Sequence, residues 1–172
     1  QVCMVHDLIP LIYPEYFRQA SLLFRGLMTH RNCLRLLINQ ADHVVTVSNN
    51  TRKDLIEKLD INQEKISVIH PGVSLSGTKS FEHLKPGYIL SVGRPDPHKN
   101  FTGLIQAYAR LSDHLKQKHP LILAGPPDLR YTQQLKELVN SLELDNNVRF
   151  IGAVPSNTLP QLYNNAAIFA LP

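Results

Sequence analysis

A pair of basic residues with a fixed spacing stands in the segment SVGRPDPHKN, residues 91–100. Arg94 and Lys99 are five residues apart, and Pro95 and Pro97 lie between them. Prolines fix the backbone and lower the entropy of the unfolded loop, so the two cations would stand on a rigid frame. A guanidinium fork and an ammonium point charge together suit a diphosphate. The same pattern also fits an ordered surface turn with solvated charges, because short motifs often occur by chance.

A second candidate group stands in the segment VHDLIPLIYPEYF, residues 5–17. His6 and Asp7 directly follow an apolar run. An imidazole and a carboxylate at such a place can contact sugar hydroxyls or transfer protons. The structural alternatives are at least as good: His6 would satisfy a backbone group, and Asp7 would cap the next turn.

The elements that must position these residues follow an alternating pattern. Short runs rich in Val and Ile alternate with segments of helical spacing, which favours strands buried on both faces of parallel sheets. The sequence therefore predicts an α/β fold. The predicted strands cover residues 2–5, 44–47, 66–69, 88–92, 121–124, 148–151 and 168–171.

Polar residues at the starts of apolar-periodic segments predict the helices. Ser48 and Asn100 would cap two helices, a third would cover 135–142, and Ser156 would open a short fourth. Residues 14–40 read as mostly helical, with a break near Gly26.

Both candidate groups follow a predicted strand, and ligands of open α/β sheets bind at the carboxyl ends of the strands. Gly93 would let the chain turn there, and the start of the helix at Asn100 would add to the positive field. No Walker A motif and no GxGxxG follows any of these strands.

A loop rich in Pro, Gly and Ser after residue 69 predicts a domain boundary. The expected organisation is a first domain over 1–73, a linker over 74–86 and a second domain over 87–172. The chain opens on Gln1 and runs at once into an apolar segment, and it closes on another. Domain termini usually lie at the surface, so we expect an internal piece of a longer protein with both domains incomplete.

Composition narrows the class of protein. A net charge of +4 without a dense basic run suits an anionic ligand and argues against a nucleic-acid partner. Cys3 and Cys33 are too sparse for a disulfide framework or a zinc site, which favours a reducing, cytoplasmic location. No apolar run approaches the roughly 20 residues of a membrane span, and no signal peptide is visible.

Six segments in order resemble the retaining glycosyltransferases of family 4, which have the GT-B fold. They are VHDLIPLIYPEYF (5–17), ADHVVTVSNNTRKDL (41–55), KISVIHPGV (65–73), YILSVGRPDPHKN (88–100), LILAGPPD (121–128) and VRFIGAVPSNTLPQLYNNAAIFALP (148–172). The HDLIPL form is most similar to bacterial mannosyltransferase-like members.

The resemblance implies two Rossmann-like domains with parallel sheets facing a cleft. The first would be the acceptor side and the second the nucleotide-sugar side. It implies transfer of a sugar, mannose or a similar one, from a nucleotide diphosphate sugar to a glycan or lipid-linked acceptor in polysaccharide or cell-envelope biosynthesis. The donor expected from HDLIPL is GDP-mannose, with no cofactor and no metal required.

The resemblance also implies roles for single residues. Arg94 and Lys99 match the basic pair that contacts the donor pyrophosphate, and His6 matches a histidine near the donor sugar. Ser48 matches a position near the cleft, but a helix cap explains it at least as well.

Three further residues match positions around the nucleotide. Gly93 matches the turn glycine, Gly125 would lie near the nucleotide at the next strand end, and Val154 would lie in the loop that approaches the base.

Two parts of the family pattern do not occur in the 172 residues: the Gly-rich acceptor loop and the Glu-x7-Glu motif. We therefore expect negligible transferase activity from residues 1–172 alone. Two alternatives stay open: a GT-B nucleotide-sugar epimerase, and a non-catalytic module that binds a nucleotide sugar.

Four arginines, at 18, 25, 31 and 35, alternate with apolar residues. They could rest on anionic lipid at the inner membrane face, or they could form an ordinary solvated helix face.

Overall fold

The computed structural model describes residues 1–73 and 84–172. These residues belong to two compact units, one on each side of the Val73–Ser74 bond, and each unit holds its own parallel sheet. Residues 74–83 of the predicted linker lie outside the described residues.

The first unit is built on a three-stranded parallel sheet in the order β1-β2-β3, with Val2 opposite His43 and Val44 opposite Ile66. Its strands are β1 (Val2–Val5), β2 (His43–Thr46) and β3 (Ile66–Val68). Its helices are α1 (Ile9–Ile12), α2 (Leu22–Met28), α3 (Arg31–Asn39) and α4 (Asn49–Leu59), with 3₁₀ turns at Pro14–Phe17 and Gln63–Lys65.

Helix α4 shows how sequence spacing produces the core of this unit. Thr51, Leu55 and Leu59 recur every four residues, so they lie on one face of the helix, and all three are buried. Ser48 caps the helix as predicted, because its Oγ accepts a hydrogen bond from the Thr51 N–H at 3.1 Å.

The second unit is built on a four-stranded parallel sheet in the order β6-β5-β4-β7. Its strands are β4 (Tyr88–Val92), β5 (Leu121–Ala124), β6 (Val148–Gly152) and β7 (Ala166–Phe169). Its helices are α5 (Phe101–Ala109), α6 (Asp113–Lys118), α7 (Thr132–Ser141) and α8 (Leu159–Asn165), with a 3₁₀ turn at Pro97–Lys99.

Strand β5 is buried on both faces, as its continuous apolar sequence predicts. Leu121 and Leu123 pack into one core cluster, which contains residues of α5 and α7. Ile122 and Ala124 pack into a second cluster, which contains Leu162 of α8. The alternation of side chains along the strand therefore places helices on both faces of this sheet.

The expectation of burial on both faces is wrong for the two strands nearest the ends of the sequence. β1 alternates between exposed and half-buried residues, and β7 is mostly exposed. Each lies at the edge of its sheet, where fewer neighbours cover it. β7 also begins two residues before the predicted run, because Tyr88 of β4 pairs with Ala166.

Two helix boundaries were also predicted wrongly. Helix α2 continues through Gly26 and ends at Met28, with Thr29 as its C-cap. The Arg25 carbonyl accepts hydrogen bonds from both the N–H of Thr29, at 3.1 Å, and its hydroxyl, at 2.6 Å. The last helix begins after Thr158, not at Ser156. Pro160 explains the later start, since proline is tolerated only in the first turn of a helix.

Candidate functional site

The carboxyl edge of the second sheet carries three glycines at three neighbouring strand ends: Gly93 after β4, Gly125 after β5 and Gly152 at the end of β6. The Gly93 N–H donates to the Ala124 carbonyl and the Gly125 N–H donates to the Gly152 carbonyl, each at 2.8 Å. The strand ends are thus held together by backbone hydrogen bonds, with no side chain between them.

Gly125 is the tightest of these positions. A Cβ atom there would lie 2.0 Å from the carbonyl oxygen of Gly93, and the φ angle of +149° disfavours any other residue. The loops that follow β4 and β5 therefore touch backbone to backbone.

One cavity at this edge, of about 190 Å³, is lined by all three residues expected near the nucleotide. Gly93, Gly125 and Val154 line it together with Val92 and Leu159. The walls are apolar or bare backbone, which leaves room for a flat group to approach the main chain.

Arg94 follows Gly93, and a carboxylate binds one edge of its guanidinium group. Its Nε donates to Asp96 Oδ2 at 2.8 Å, and this carboxylate raises the pKa of the guanidinium. The terminal amino groups of Arg94 form no hydrogen bond within residues 1–73 and 84–172. No other described residue therefore occupies the fork that would meet a diphosphate.

Lys99 ends the 3₁₀ turn and returns to the same strand end. The ideal Cβ position of Gly93 lies 3.9 Å from both Cδ and Cε of Lys99, so the lysine stem packs beside the glycine. Among the described residues Lys99 forms no ion pair. Asn100 then caps α5, with its Oδ1 accepting from the Gly103 N–H at 3.2 Å. Arg94 is thus the next residue after Gly93, and the stem of Lys99 packs beside the same glycine.

Two charged residues of the neighbouring loop, Asp128 and Arg130, were not predicted as part of the site. Arg130 binds Asp128 through two side-chain bonds, Nε to Oδ1 at 2.9 Å and Nη2 to Oδ2 at 2.7 Å. These bonds lower the pKa of Asp128 to about 2. Arg130 Nη2 also lies 3.7 Å from Asp96 Oδ1. The available signal was an Asp-x-Arg spacing in the loop that follows strand β5, at the same sheet edge as Arg94.

His6 belongs to the first unit and lies at the carboxyl end of β1, with an exposed side chain. Its carbonyl oxygen accepts a hydrogen bond from Thr51 Oγ1 at 3.0 Å, so helix α4 fixes the backbone of His6. The imidazole forms no hydrogen bond within the part of the chain that the structure describes. Asp7 takes the structural role that the sequence left open, because its Oδ1 accepts from the Ile9 N–H at 3.0 Å.

Within residues 1–73 and 84–172, no group of three or more His, Cys, Asp and Glu is placed so that it could hold a metal ion. In the same residues, no helix is both long enough and apolar enough to cross a bilayer.

Comparison with known proteins finds a glycosyltransferase family in each of the two units. A family model described as "Glycosyl transferases group 1" matches residues 77–172, and one described as "Glycosyltransferase Family 4" matches residues 1–76. The chain is 33% identical over its whole length to the O-antigen chain mannosyltransferase RfbU of Salmonella typhimurium, and it covers 45% of that protein. It is 26% identical to the O-antigen chain mannosyltransferase B of Escherichia coli, over 99% of the chain and 46% of that protein.

Solved structures support the fold. The Anabaena protein Alr3699/HepE, crystallised with UDP and glucose, matches 99% of the chain with a TM-score of 0.73 at 22% identity, and the match covers 45% of that protein. Sucrose-phosphate synthase from Thermosynechococcus elongatus matches 99% of the chain with a TM-score of 0.74 at 19% identity, over 44% of its own length. These likenesses confirm the predicted α/β fold class of GT-B type.

The chain spans about half the length of the curated relatives that it matches. The resemblance noted in the six ordered segments is confirmed by the family models, which together cover the sequence from end to end. The chain belongs to the group 1 glycosyltransferases, with a family 4 glycosyltransferase segment in its first 76 residues.

Proposed function

We propose that this chain serves a retaining glycosyltransferase that moves mannose, or a similar hexose, from a nucleotide diphosphate sugar to a glycan or lipid-linked acceptor. The observation that supports the proposal is that Arg94 and Lys99 share the loop after β4, at the carboxyl edge of a parallel sheet, with the Lys99 stem packed beside Gly93. The relatives named as O-antigen mannosyltransferases support both the hexose and the role in polysaccharide biosynthesis.

The charges of this loop suit the chemistry of the step. When the bond from the anomeric carbon to the diphosphate oxygen breaks, negative charge builds on the departing nucleoside diphosphate. Within the described residues the Arg94 fork makes no hydrogen bond and Lys99 makes no ion pair, so both would offset that charge, and no metal is required for this. The new bond joins the anomeric carbon to the oxygen of an acceptor hydroxyl, whose proton would pass to an oxygen of the departing diphosphate. His6 would supply a polar contact at the reacting sugar.

The nucleoside would occupy the cavity lined by Gly93, Gly125 and Val154. Bare backbone at the first two positions lets a ribose or base approach closely, and Val154 offers an apolar contact. The donor that we propose is GDP-mannose. The HDLIPL form and the mannosyltransferase relatives support this choice.

A peripheral contact with the inner membrane face is part of the proposal. Leu22 and Leu23 at the start of α2 are 82% and 73% exposed, and Arg18 and Arg25 lie in the same segment. Exposed leucines beside cations suit an anionic lipid surface, which would bring the enzyme to a lipid-linked acceptor.

Calorimetric titration of the chain with GDP tests the donor site. Arg94→Ala and Lys99→Ala are each expected to weaken GDP binding about ten- to hundredfold, because a charge-assisted hydrogen bond contributes about 1.5–3 kcal/mol. Arg110→Ala is the matched control, since it removes the same charge at the far end of α5. Equal affinity in all three variants and the parent chain would overturn the proposal.

A transfer assay with the full product of the gene separates the enzyme from the alternatives. Transfer of mannose from GDP-mannose with retained anomeric configuration supports the proposal. Conversion of a nucleotide sugar to its epimer supports the epimerase, and binding without either reaction supports the non-catalytic module.

A further inference from the structure

Four charged side chains join the loops after β4 and β5 into one network. Asp96 lies at its centre: one oxygen accepts from Arg94 Nε at 2.8 Å, and the other lies 3.7 Å from Arg130 Nη2. Asp128 holds Arg130 from the far side through two bonds of 2.9 and 2.7 Å. The order of contacts is therefore Arg94, Asp96, Arg130, Asp128.

Burial is uneven along this network. The side chains of Asp96 and Asp128 are 14% and 11% exposed, whereas those of Arg94 and Arg130 are 54% and 35% exposed. The carboxylates thus lie beneath the surface and the guanidinium groups lie above them. Arg130 also rests on the ring of Tyr131, 4.9 Å from its centroid, which further limits its motion.

We propose that Asp96 is a positioning residue for Arg94, and that the Asp128–Arg130 pair keeps Asp96 in place. This inference rests on the proposed donor site. Asp96 takes the Nε edge of Arg94 and leaves the two terminal amino groups for the diphosphate. A guanidinium held in advance loses less freedom when the ligand binds than a mobile one does.

Arg130 also has an electrostatic effect in this arrangement. A half-buried carboxylate beside a diphosphate repels it, and Asp96 alone would cancel the charge of Arg94. Arg130 offsets the charge of Asp96 from the opposite oxygen, so the cation of Arg94 keeps its effect. Asp128 in turn prevents Arg130 from moving fully onto Asp96 and drawing it away from Arg94.

The direction in which anion affinity changes when an aspartate is removed distinguishes the positioning role from simple electrostatics. Removal of an acid near an anion site raises the affinity for the anion if only Coulomb forces act. The positioning role predicts the reverse. Asp96→Ala and Asp128→Ala are expected to weaken the binding of inorganic pyrophosphate and of GDP about fivefold or more, measured by calorimetry on the whole chain. Unchanged or tighter binding in both would overturn the inference.

Coupling to Arg94 is the second readout. In the Arg94→Ala background, Asp128→Ala is expected to change pyrophosphate affinity less than twofold, because the guanidinium that it positions is gone. An equal loss in both backgrounds would overturn the inference. The NMR signal of the Arg94 Nε–H is expected to be sharp and protected in the parent chain, and to broaden or exchange quickly in Asp96→Ala.

Controls separate a loss of fold from a loss of position. Asp113→Ala removes an aspartate paired with Lys116 on α6, at 2.9 Å, and is expected to leave pyrophosphate affinity unchanged. If an alanine variant does not fold, Asp96→Asn and Asp128→Asn keep the side-chain shape and are measured in its place, with the same expected direction. If the parent chain binds neither GDP nor pyrophosphate, the proposed function fails. If Arg94→Ala weakens binding but the aspartate variants do not, only this inference fails.

Discussion

At the scale of single residues, Gly125 is the described glycine at which a Cβ atom would meet the closest backbone contact. Gly125→Ala is expected to lower the free energy of unfolding by about 2–6 kcal/mol, because backbone strain and overpacking each cost about 1–3 kcal/mol. The new methyl group would meet the Gly93 carbonyl at 2.0 Å. Urea denaturation followed by circular dichroism measures the change.

Gly26→Ala is the matched control, since a Cβ there meets nothing within 4 Å and the residue lies inside helix α2. It is expected to stabilise the protein by about 0.5–1 kcal/mol, the usual gain from alanine over glycine in a helix. Equal effects of the two substitutions would mean that the contact between the loops is not tight in solution.

The candidate site also shows which contacts between residues can be predicted from the sequence. Arg94 and Lys99 could be found because they share one loop, and a loop after a strand has a predictable location. The link from Asp96 to Arg130 joins two loops 34 positions apart in the chain. Sequence spacing carries no information about such a contact, because it depends on the order of β4 and β5 in the sheet.

At the scale of elements, the start of α5 depends on one unusual residue. Asn100 has φ +49° and ψ +36°, in the left-handed region, and its side chain caps the helix. Asn100→Ala is expected to destabilise the protein by about 1–2 kcal/mol, because it loses the cap and strains the backbone. Asn100→Gly is expected to cost only about a few tenths of a kcal/mol, because glycine suits both the cap and the left-handed backbone.

Urea denaturation measures both Asn100 variants. A larger loss for glycine than for alanine would contradict the left-handed conformation of Asn100, since alanine would then fit its backbone better.

Helices and strands were predicted correctly where their side chains are buried, and wrongly where few side chains are buried. Strand β5 was placed to the residue, because all four of its side chains are buried and its sequence is wholly apolar. Helix α6 was missed, because Asp113–Lys118 has no buried residue and hence no apolar period. The break before α3 was misplaced to Gly26, since the threonine that ends α2 acts through a local hydrogen bond.

At the scale of the whole molecule, binding to a lipid surface can be tested even though the acceptor is not identified. The chain carries a net charge of +4 and exposes Leu22 and Leu23. Vesicles with about one-third anionic lipid are expected to bind it, and Leu22→Ser with Leu23→Ser is expected to weaken this about fivefold or more, since each leucine buries apolar area in the interface. Added salt is expected to weaken binding as well.

Leu129→Ser is the control for the vesicle experiment, because Leu129 is fully exposed in the second unit. Co-sedimentation measures all variants. An equal loss with Leu129→Ser, or no loss with the α2 variant, would exclude α2 as the lipid-binding surface.

The backbone contact between Gly93 and Gly125 also sets a rule for directed evolution of donor preference. In a library that randomises position 125, every member other than glycine would have a side chain against the Gly93 carbonyl and would be destabilised. Pro126 and Pro127 line a neighbouring cavity, and Leu129 stands in solvent, so these positions can be exchanged without touching the contact. A search for new sugar or base specificity therefore begins one residue beyond Gly125.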